Sequence, residues 1–192
     1  MSSFTRRAAA VLVLACATGA AWSADAPRVK FNTSAGDIVI EVYPDKAPKT
    51  VENFLQYVKD HHYDGTIFHR VINNFMIQGG GMDRNMAEKK TRAPVPHEGA
   101  QAFQAGLKNE LGTVAMARTA DPNSATAQFY INVANNAFLD PKPGNPGYTV
   151  FGKVVGGMDV VNAIKGVQTG RMGMHADVPA TPVVINSAEI VK

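Results

Sequence analysis

Cysteine is almost missing from this chain, and the place of the one that exists is informative. Cys16 is the single residue of its type, and it falls inside an N-terminal apolar run. If that run is a leader that is removed, the remaining chain has no thiol for nucleophilic, redox or metal chemistry and no disulfide. Tryptophan is equally scarce: Trp22 is the only one, and it lies in the same region. Charge of one sign is lacking too. The full chain holds 19 Lys+Arg against 16 Asp+Glu, a formal +3, and residues 1–24 contribute Arg6 and Arg7 with no acid, leaving 17 against 16, or +1. A surface so close to neutral has no electrostatic hold on nucleic acid or on an anionic membrane, and neither is expected as a partner.

The N-terminus itself has a recognisable layout. Arg6-Arg7 precede an apolar run from Ala8 to Ala21, and Trp22-Ser23-Ala24-Asp25-Ala26-Pro27 follows. A basic start, a short apolar stretch and small residues at a cleavage zone describe a secretory signal peptide over residues 1–24. Cleavage is expected after Ser23 or Ala24. The run is short for a membrane span. The paired arginines lack the large apolar residue of a twin-arginine signal, and Val13-Leu14-Ala15-Cys16 is a poor lipoprotein site because Leu14 precedes the cysteine by two and the run continues beyond it. The expectation is therefore export by general secretion into a periplasm-like space, with no stable membrane association. Residues 25–192 would form a single domain, long enough for a full core.

Within that domain the periodicity is mostly that of strands. Residues 29–42 alternate around Ser34-Ala35-Gly36-Asp37, a hairpin signal. Further strands are predicted over 66–72, 75–78, 112–117, 128–133, 149–155 and 183–190. Apolar residues at 51, 54, 55 and 58 behind Pro48 have helical spacing, as do 158, 160, 161 and 164. Residues 82–111 are polar and read as a long irregular loop, with Ala102-Phe103-Gln104-Ala105 as a small insertion of no assigned role. Many short strands with two isolated helices indicate a closed barrel or sandwich.

The segment with most chemical content is Phe68-His69-Arg70-Val71-Ile72-Asn73-Asn74-Phe75-Met76-Ile77-Gln78-Gly79-Gly80. It places a permanent cation and a neutral amide among apolar residues. Arg70 and Gln78, eight apart, share a face of an extended strand, and Asn73-Asn74 suit a turn or bulge that resets the faces. The implied object is a shallow apolar pocket with one guanidinium at its lip, ending in a glycine turn. No metal site is expected: His61, His62, His97 and His175 are scattered without ligand spacing. Gly79-Gly80-Gly81 lacks the lysine and helix of a phosphate loop. Asp121-Pro122-Asn123-Ser124 reads as a turn, and Met172 and Met174 as loop-packing residues.

Phe68-His69-Arg70-x-Ile72-x-x-Phe75-Met76-x-Gln78-Gly79-Gly80 resembles the signature of the cyclophilin family of peptidyl-prolyl isomerases. The blocks from Gly112 to Ala120 and from Ser124 to Asn132, then Phe138-Leu139-Asp140 and Tyr148 to Val154, are similar in order and spacing to bacterial single-domain members. The resemblance runs from about Val29 to the C-terminus. It implies a mainly β fold, a closed eight-stranded antiparallel β-barrel capped by two α-helices, with a substrate groove on its outer face. It implies an enzyme that accelerates X–Pro isomerisation, here in exported polypeptides, assisting their folding. Its partners would be proline-containing segments of unfolded or folding proteins. It would work as a monomer and without a cofactor.

Carried over by position, the family pattern makes Arg70 the catalytic hydrogen-bond donor. Phe75, Met76 and Leu139 become the proline pocket, Gln78 a contact to peptide backbone, and Gln128 a lining residue of the groove. Arg118 and Thr119 match a strand that pairs with substrate. Three further positions depart from the better-known eukaryotic pattern: Tyr130 replaces a pocket phenylalanine and puts a hydroxyl at the pocket wall, Phe138 stands for tryptophan, and Tyr148 for histidine. The change at 138 argues against tight cyclosporin binding. Two other classes stay open on the residues alone. One is a chaperone or adaptor that binds proline-containing segments, which loss of Arg70 would have favoured. The other is a ligand-carrying barrel, which would need an open lumen that these strands are too few and too bulky to leave.

Overall fold

A computed structural model describes residues 26–191. The leader, Cys16, Trp22 and the expected cleavage zone before Ala26 lie outside the described residues. Alternation of buried and exposed side chains sets the first hairpin: β1 (Arg28–Thr33) and β2 (Gly36–Val42) bury Val29, Phe31, Ile38, Ile40 and Val42. The chain then adds β3 (Thr66–Ile72), β4 (Met76–Asp83), β5 (Thr113–Met116), β6 (Phe129–Asn132), β7 (Val150–Gly156) and β10 (Ile185–Val191). These eight form one antiparallel sheet in the order β10-β1-β2-β7-β5-β6-β4-β3. Its two ends meet through an antiparallel bridge between Ile67 and Val184, with Phe68 N–H donating to the Val183 carbonyl at 2.9 Å and Gly65 N–H to that of Ile185 at 2.8 Å.

The interior is filled by rings rather than left as a lumen. Phe31 and Phe129 stack at 5.3 Å, and Phe54, Tyr63 and Phe68 meet Phe129 edge-on at 6.0, 5.6 and 6.2 Å. Eight strands leave an interior that side chains just fill. That removes the ligand-carrier reading and sends any binding to the outside.

Helix α1 (Pro48–Lys59) caps the barrel with Val51, Phe54, Tyr57 and Val58, and α3 (Met158–Lys165) with Val161 and Ile164. Both match the helical spacing in the sequence. The start of α1 has no side-chain cap of its own at Ala47. Glu98 supplies one from a distance: its buried carboxylate accepts from Lys49 N–H at 3.1 Å, Thr50 N–H at 2.8 Å and the Thr50 hydroxyl at 2.7 Å. A carboxylate at a helix N-terminus satisfies orphan donors and complements the helix dipole.

Three expectations are corrected. The stretch 82–111 is not wholly irregular, because α2 (Gly99–Gln104) forms within it and buries Ala102; of residues 102–105, 102–104 are the end of this helix and Ala105 is its C-cap, rather than loop. The triple glycine is not a turn but the middle of β4. Gly80 adopts φ 86°, and a Cβ there would meet the rings of Tyr63 and Phe129; one at Gly81 would collide with the side chain of Gln128. Lastly, residues 169–179 form a second, two-stranded sheet of β8 (Thr169–Met172) and β9 (His175–Pro179). Met172 and Met174 are exposed there, so they are not packing residues of a loop.

Candidate active site

The two faces of β3 are set by a bulge. Phe68 pairs with Gly79 but Arg70 with Gln78, so one extra residue on β3 resets the alternation. Phe68 consequently points into the barrel, while Arg70, two positions on, faces outward. The sequence reading placed this reset at Asn73-Asn74; the structure places the bulge at 68–70 and uses 73–75 as the hairpin turn, with Asn74 at φ 61°. Arg70 and Gln78 do share a face, as cross-strand partners rather than as members of one strand.

Register carries that face across the sheet. Gln78 lies opposite Tyr130, and Tyr130 opposite Ala115. Met76, Ala115, Tyr130 and Val150 form a second apolar cluster, separate from the barrel core, with Phe75, Leu139 and Tyr148 packed on it. Above this cluster opens a cavity of about 520 Å³, and Arg70, Phe75, Met76, Gln78, Tyr130 and Leu139 are among its walls, as are Arg118, Gln128 and Tyr148. A smaller compartment of about 230 Å³ continues past Gln78 and Gln128 toward Thr119, Ser124 and Thr126.

Ten of the eleven residues singled out in the sequence line one or other compartment. Phe138 is the exception. It is 59 % exposed and stacks on the ring of Phe75 at 5.6 Å and 26°, so it braces the pocket from outside. Thr119 is also differently placed than expected. β5 ends at Met116, and the Thr119 N–H is already committed to the Ser124 hydroxyl at 2.9 Å, so residue 119 is loop rather than strand.

The two guanidinium groups of the groove differ sharply. Arg118 lies 4.6 Å above the Tyr148 ring and donates to the carbonyls of Gly147 at 2.7 Å and Thr119 at 2.8 Å. The Arg70 guanidinium has no hydrogen-bond or ion-pair partner among the described residues. Its donors therefore face the cavity uncommitted. Gln78 Nε2 donates to Gln128 Oε1 at 2.9 Å, which leaves the Gln78 carbonyl oxygen and the Gln128 amide to accept and donate elsewhere.

Tyr130 brings its ring, not its hydroxyl, to the wall. The hydroxyl turns inward and donates to Asn109 Oδ1 at 2.8 Å. Asn109 in turn donates to Asp140 at 2.8 Å from both its backbone and side chain, and Asn136 Nδ2 donates to the Phe75 carbonyl at 2.8 Å and to Asn132 at 2.7 Å. Asn132 Nδ2 links the two halves through Asn109 at 3.3 Å. A buried network of this kind rigidifies what it touches, and here it fixes the floor and one rim of the cavity. Burial raises the Tyr130 phenol well above its ordinary pKa, with the Tyr148 ring beside it adding in the same direction. Nothing in the sequence pattern pointed to Asn109 or Asn136, because the contacts that tie them to the pocket, Asn109 to Tyr130 and Asn136 to Phe75, span 21 and 61 residues.

His69 is buried behind Arg70, and its Nδ1 has no partner among the described residues. Burial lowers its pKa to about 4; the neighbouring His175 and Arg70 act the same way, and the Ile67 carbonyl opposes them. The unfolded chain takes up this proton near the ordinary 6.5 and the folded one only near 4, so between those values the unfolded state binds more protons. Stability is thus complete above pH 6.5 and falls as the pH drops toward 4. His62 and His97, also lowered chiefly by burial, act in the same direction. The urea midpoint should fall between pH 7 and 5, and fall less in His69→Gln; parallel losses in the two proteins would rule out His69 as a source.

Among the described residues no group of three His, Cys, Asp or Glu could hold a metal ion, and no helix is long and apolar enough to cross a membrane. What the arrangement presents is an outward apolar seat beside an uncommitted cation and neutral amides, on a solid antiparallel barrel. That defines a site for a neutral, extended chain with one apolar group to bury.

Comparison with known proteins narrows the class. The family model for cyclophilin type peptidyl-prolyl cis-trans isomerase/CLD matches residues 28–190. The chain is 59 % identical over 165 residues to peptidyl-prolyl cis-trans isomerase cyp18 of Streptomyces antibioticus, covering 84 % of this chain and 97 % of that one. It is 54 % identical over 165 residues to peptidyl-prolyl cis-trans isomerase B of Escherichia coli, covering 84 % and 98 %. A crystal structure of a cyclophilin type isomerase from Cryptosporidium parvum superposes with a TM-score of 0.71 at 25 % identity, over 87 % of this chain and 98 % of that one. The same protein in the presence of the dipeptide Ala-Pro gives 0.69 at 25 % identity, over 86 % and 99 %. The chain belongs to the cyclophilin family and is a peptidyl-prolyl cis–trans isomerase.

Proposed function

We propose that this isomerase acts outside the cytoplasm, on X–Pro bonds of exported polypeptides as they fold, with Arg70 as the catalytic donor. The barrier it must lower is about 18–20 kcal/mol and comes from amide resonance. Twisting the X–Pro bond localises a lone pair on the prolyl nitrogen, which makes that nitrogen a hydrogen-bond acceptor only in the twisted state. A donor waiting there binds the transition state better than either planar isomer, and that difference is catalysis. The observation that carries the reading is the Arg70 guanidinium, uncommitted among the described residues, at the lip of a cavity whose seat is Phe75, Met76, Tyr130 and Leu139. An apolar surround excludes water and strengthens the contact.

In this reading the proline ring sits between Phe75, Met76 and Leu139, with the Tyr130 and Tyr148 rings completing the wall. Gln78 and Gln128 engage the peptide backbone. Arg118 props Tyr148 and the Gly147 carbonyl rather than meeting substrate with its charge. Thr119 borders the polar compartment that takes residues further along the chain, and Phe138 keeps Phe75 in place. The enzyme works as a monomer.

Export rests on the leader of residues 1–24 and on a remainder with no cysteine and a formal charge near zero. The protein produced with its full leader should be released from cells by osmotic shock and should start near Asp25 by mass. Because Trp22 is the sole tryptophan, the released form should show no tryptophan emission while isomerising a prolyl tetrapeptide in a protease-coupled assay. Tryptophan emission from a protein held in the cytoplasm would overturn the export reading and leave the isomerase standing.

A further inference from the structure

The isomerase reaction accounts for the floor of the cavity but not for its outermost wall. β8 and β9 make a ribbon that stands away from the barrel: every residue from Thr169 to Ala176 is exposed, and burial begins only at Val178 and Pro179. Gly173, at φ 60°, forms its tip, and β9 runs against β3. Asp177, also at φ 60°, bends β9 just above the buried base. Met174, His175, Ala176 and Asp177 thereby border the same 520 Å³ cavity as Arg70.

Met174 is 93 % exposed, more than any other large apolar side chain of the described residues. It belongs to neither apolar cluster of the molecule. Single exposed apolar residues are ordinary on protein surfaces. This one stands in the wall of a peptide groove, with Gly173 before it and His175 after it, where packing of the free protein gives it nothing to do.

We propose that Met174 is a specificity-determining residue. It lies over the side chain that adjoins the proline on the Arg70 side of the groove and makes the enzyme favour bulky apolar residues there. The inference rests on the isomerase reading of the cavity. A peptide with its proline on Phe75 and Met76 has two exits. One passes Gln78 and Gln128 into the polar compartment near Thr119 and Ser124. The other passes Arg70 and meets the ribbon, whose apolar residues bordering the cavity are Met174 and Ala176. An unbranched thioether with three rotatable bonds adapts to different partners, so the preference is for a class, aliphatic or aromatic, rather than for one residue.

The test is a set of prolyl peptides carrying Leu, Phe or Gly at each position flanking the proline, assayed for kcat/KM. At one of the two positions the wild type should prefer Leu and Phe to Gly. Met174→Ser should shrink that ratio about fivefold, on the order of what a partly open apolar contact supplies, and Met174→Leu should restore it. The Met174 methyl resonance of the wild type should shift when the Leu peptide is added and less with the Gly peptide. A ratio untouched by Met174→Ser, or not restored by Met174→Leu, overturns the proposal, and so does a methyl resonance that never moves. A wild type that fails to isomerise any of these peptides instead overturns the reading on which the proposal stands.

Discussion

Arg70→Ala should reduce kcat/KM for a prolyl tetrapeptide by about 10²–10³, the range found when one preorganised transition-state donor is removed. Its circular dichroism and thermal midpoint should stay close to those of the wild type. Both halves follow from the same geometry. Arg70 is only half-buried and its guanidinium has no hydrogen-bond or ion-pair partner among the described residues, so truncating the side chain breaks no intramolecular contact of that kind. Catalysis suffers because the donors that Arg118 could offer are spent on the carbonyls of Gly147 and Thr119. Arg70→Lys should recover part of the loss at most, since an ammonium supplies charge without the planar fork. Unchanged turnover by a natively folded Arg70→Ala protein would sink the mechanism.

Phe129→Ala should cost about 3–5 kcal/mol, the usual toll for emptying a phenylalanine site in a packed core. For a domain of this size that corresponds to a thermal midpoint lower by on the order of 10 °C. Phe129 is fully buried and touches four other rings, stacking on Phe31 at 5.3 Å. Gly80 has no side chain with which to fill the hole, and φ 86° prevents its replacement by a larger residue. Gln128, just before β6, and Tyr130, on it, flank this position, so the Michaelis constant should rise as well. A midpoint drop of only a degree or two would mean the interior relaxes freely and is not the solid support described.

How much of this was legible in the sequence depended on distance along the chain. The hairpin at 28–42, helix α1 and helix α3 follow from local periodicity, and their bounds agree with the spacing of Val51, Phe54 and Val58 or of Val161 and Ile164. The seat of the cavity was legible through motif resemblance: Phe75, Met76, Gln78, Tyr130 and Leu139 all line it. What stayed hidden was non-local. Glu98 caps α1 from 48 residues downstream, and no rule based on neighbours would select it. The bulge at 68–70 was misplaced to Asn73-Asn74 because asparagines announce a turn, whereas a bulge at His69 leaves no compositional mark. The ribbon of residues 169–179 was missed for a different reason. Its strands bury almost nothing, so they show no alternation to detect. Phe138 was assigned to the pocket by position in a motif, and only coordinates could show it on the far side of Phe75.

The closure of the sheet has a consequence for how the chain acquires its structure. β1 pairs with β10 from Arg28 opposite Val191 to Thr33 opposite Ile185, and β3 meets residues 183–185 at the seam. The first strand thus waits for the last, across more than 150 residues of chain. Contacts of such long sequence separation make folding slow, because loop entropy must be lost before they form. No N-terminal fragment can complete the barrel, and a chain still emerging from a ribosome or a membrane channel lacks the strand that closes it. This isomerase therefore cannot close its own barrel until the strand from Ile185 to Val191 is free to pair with β1.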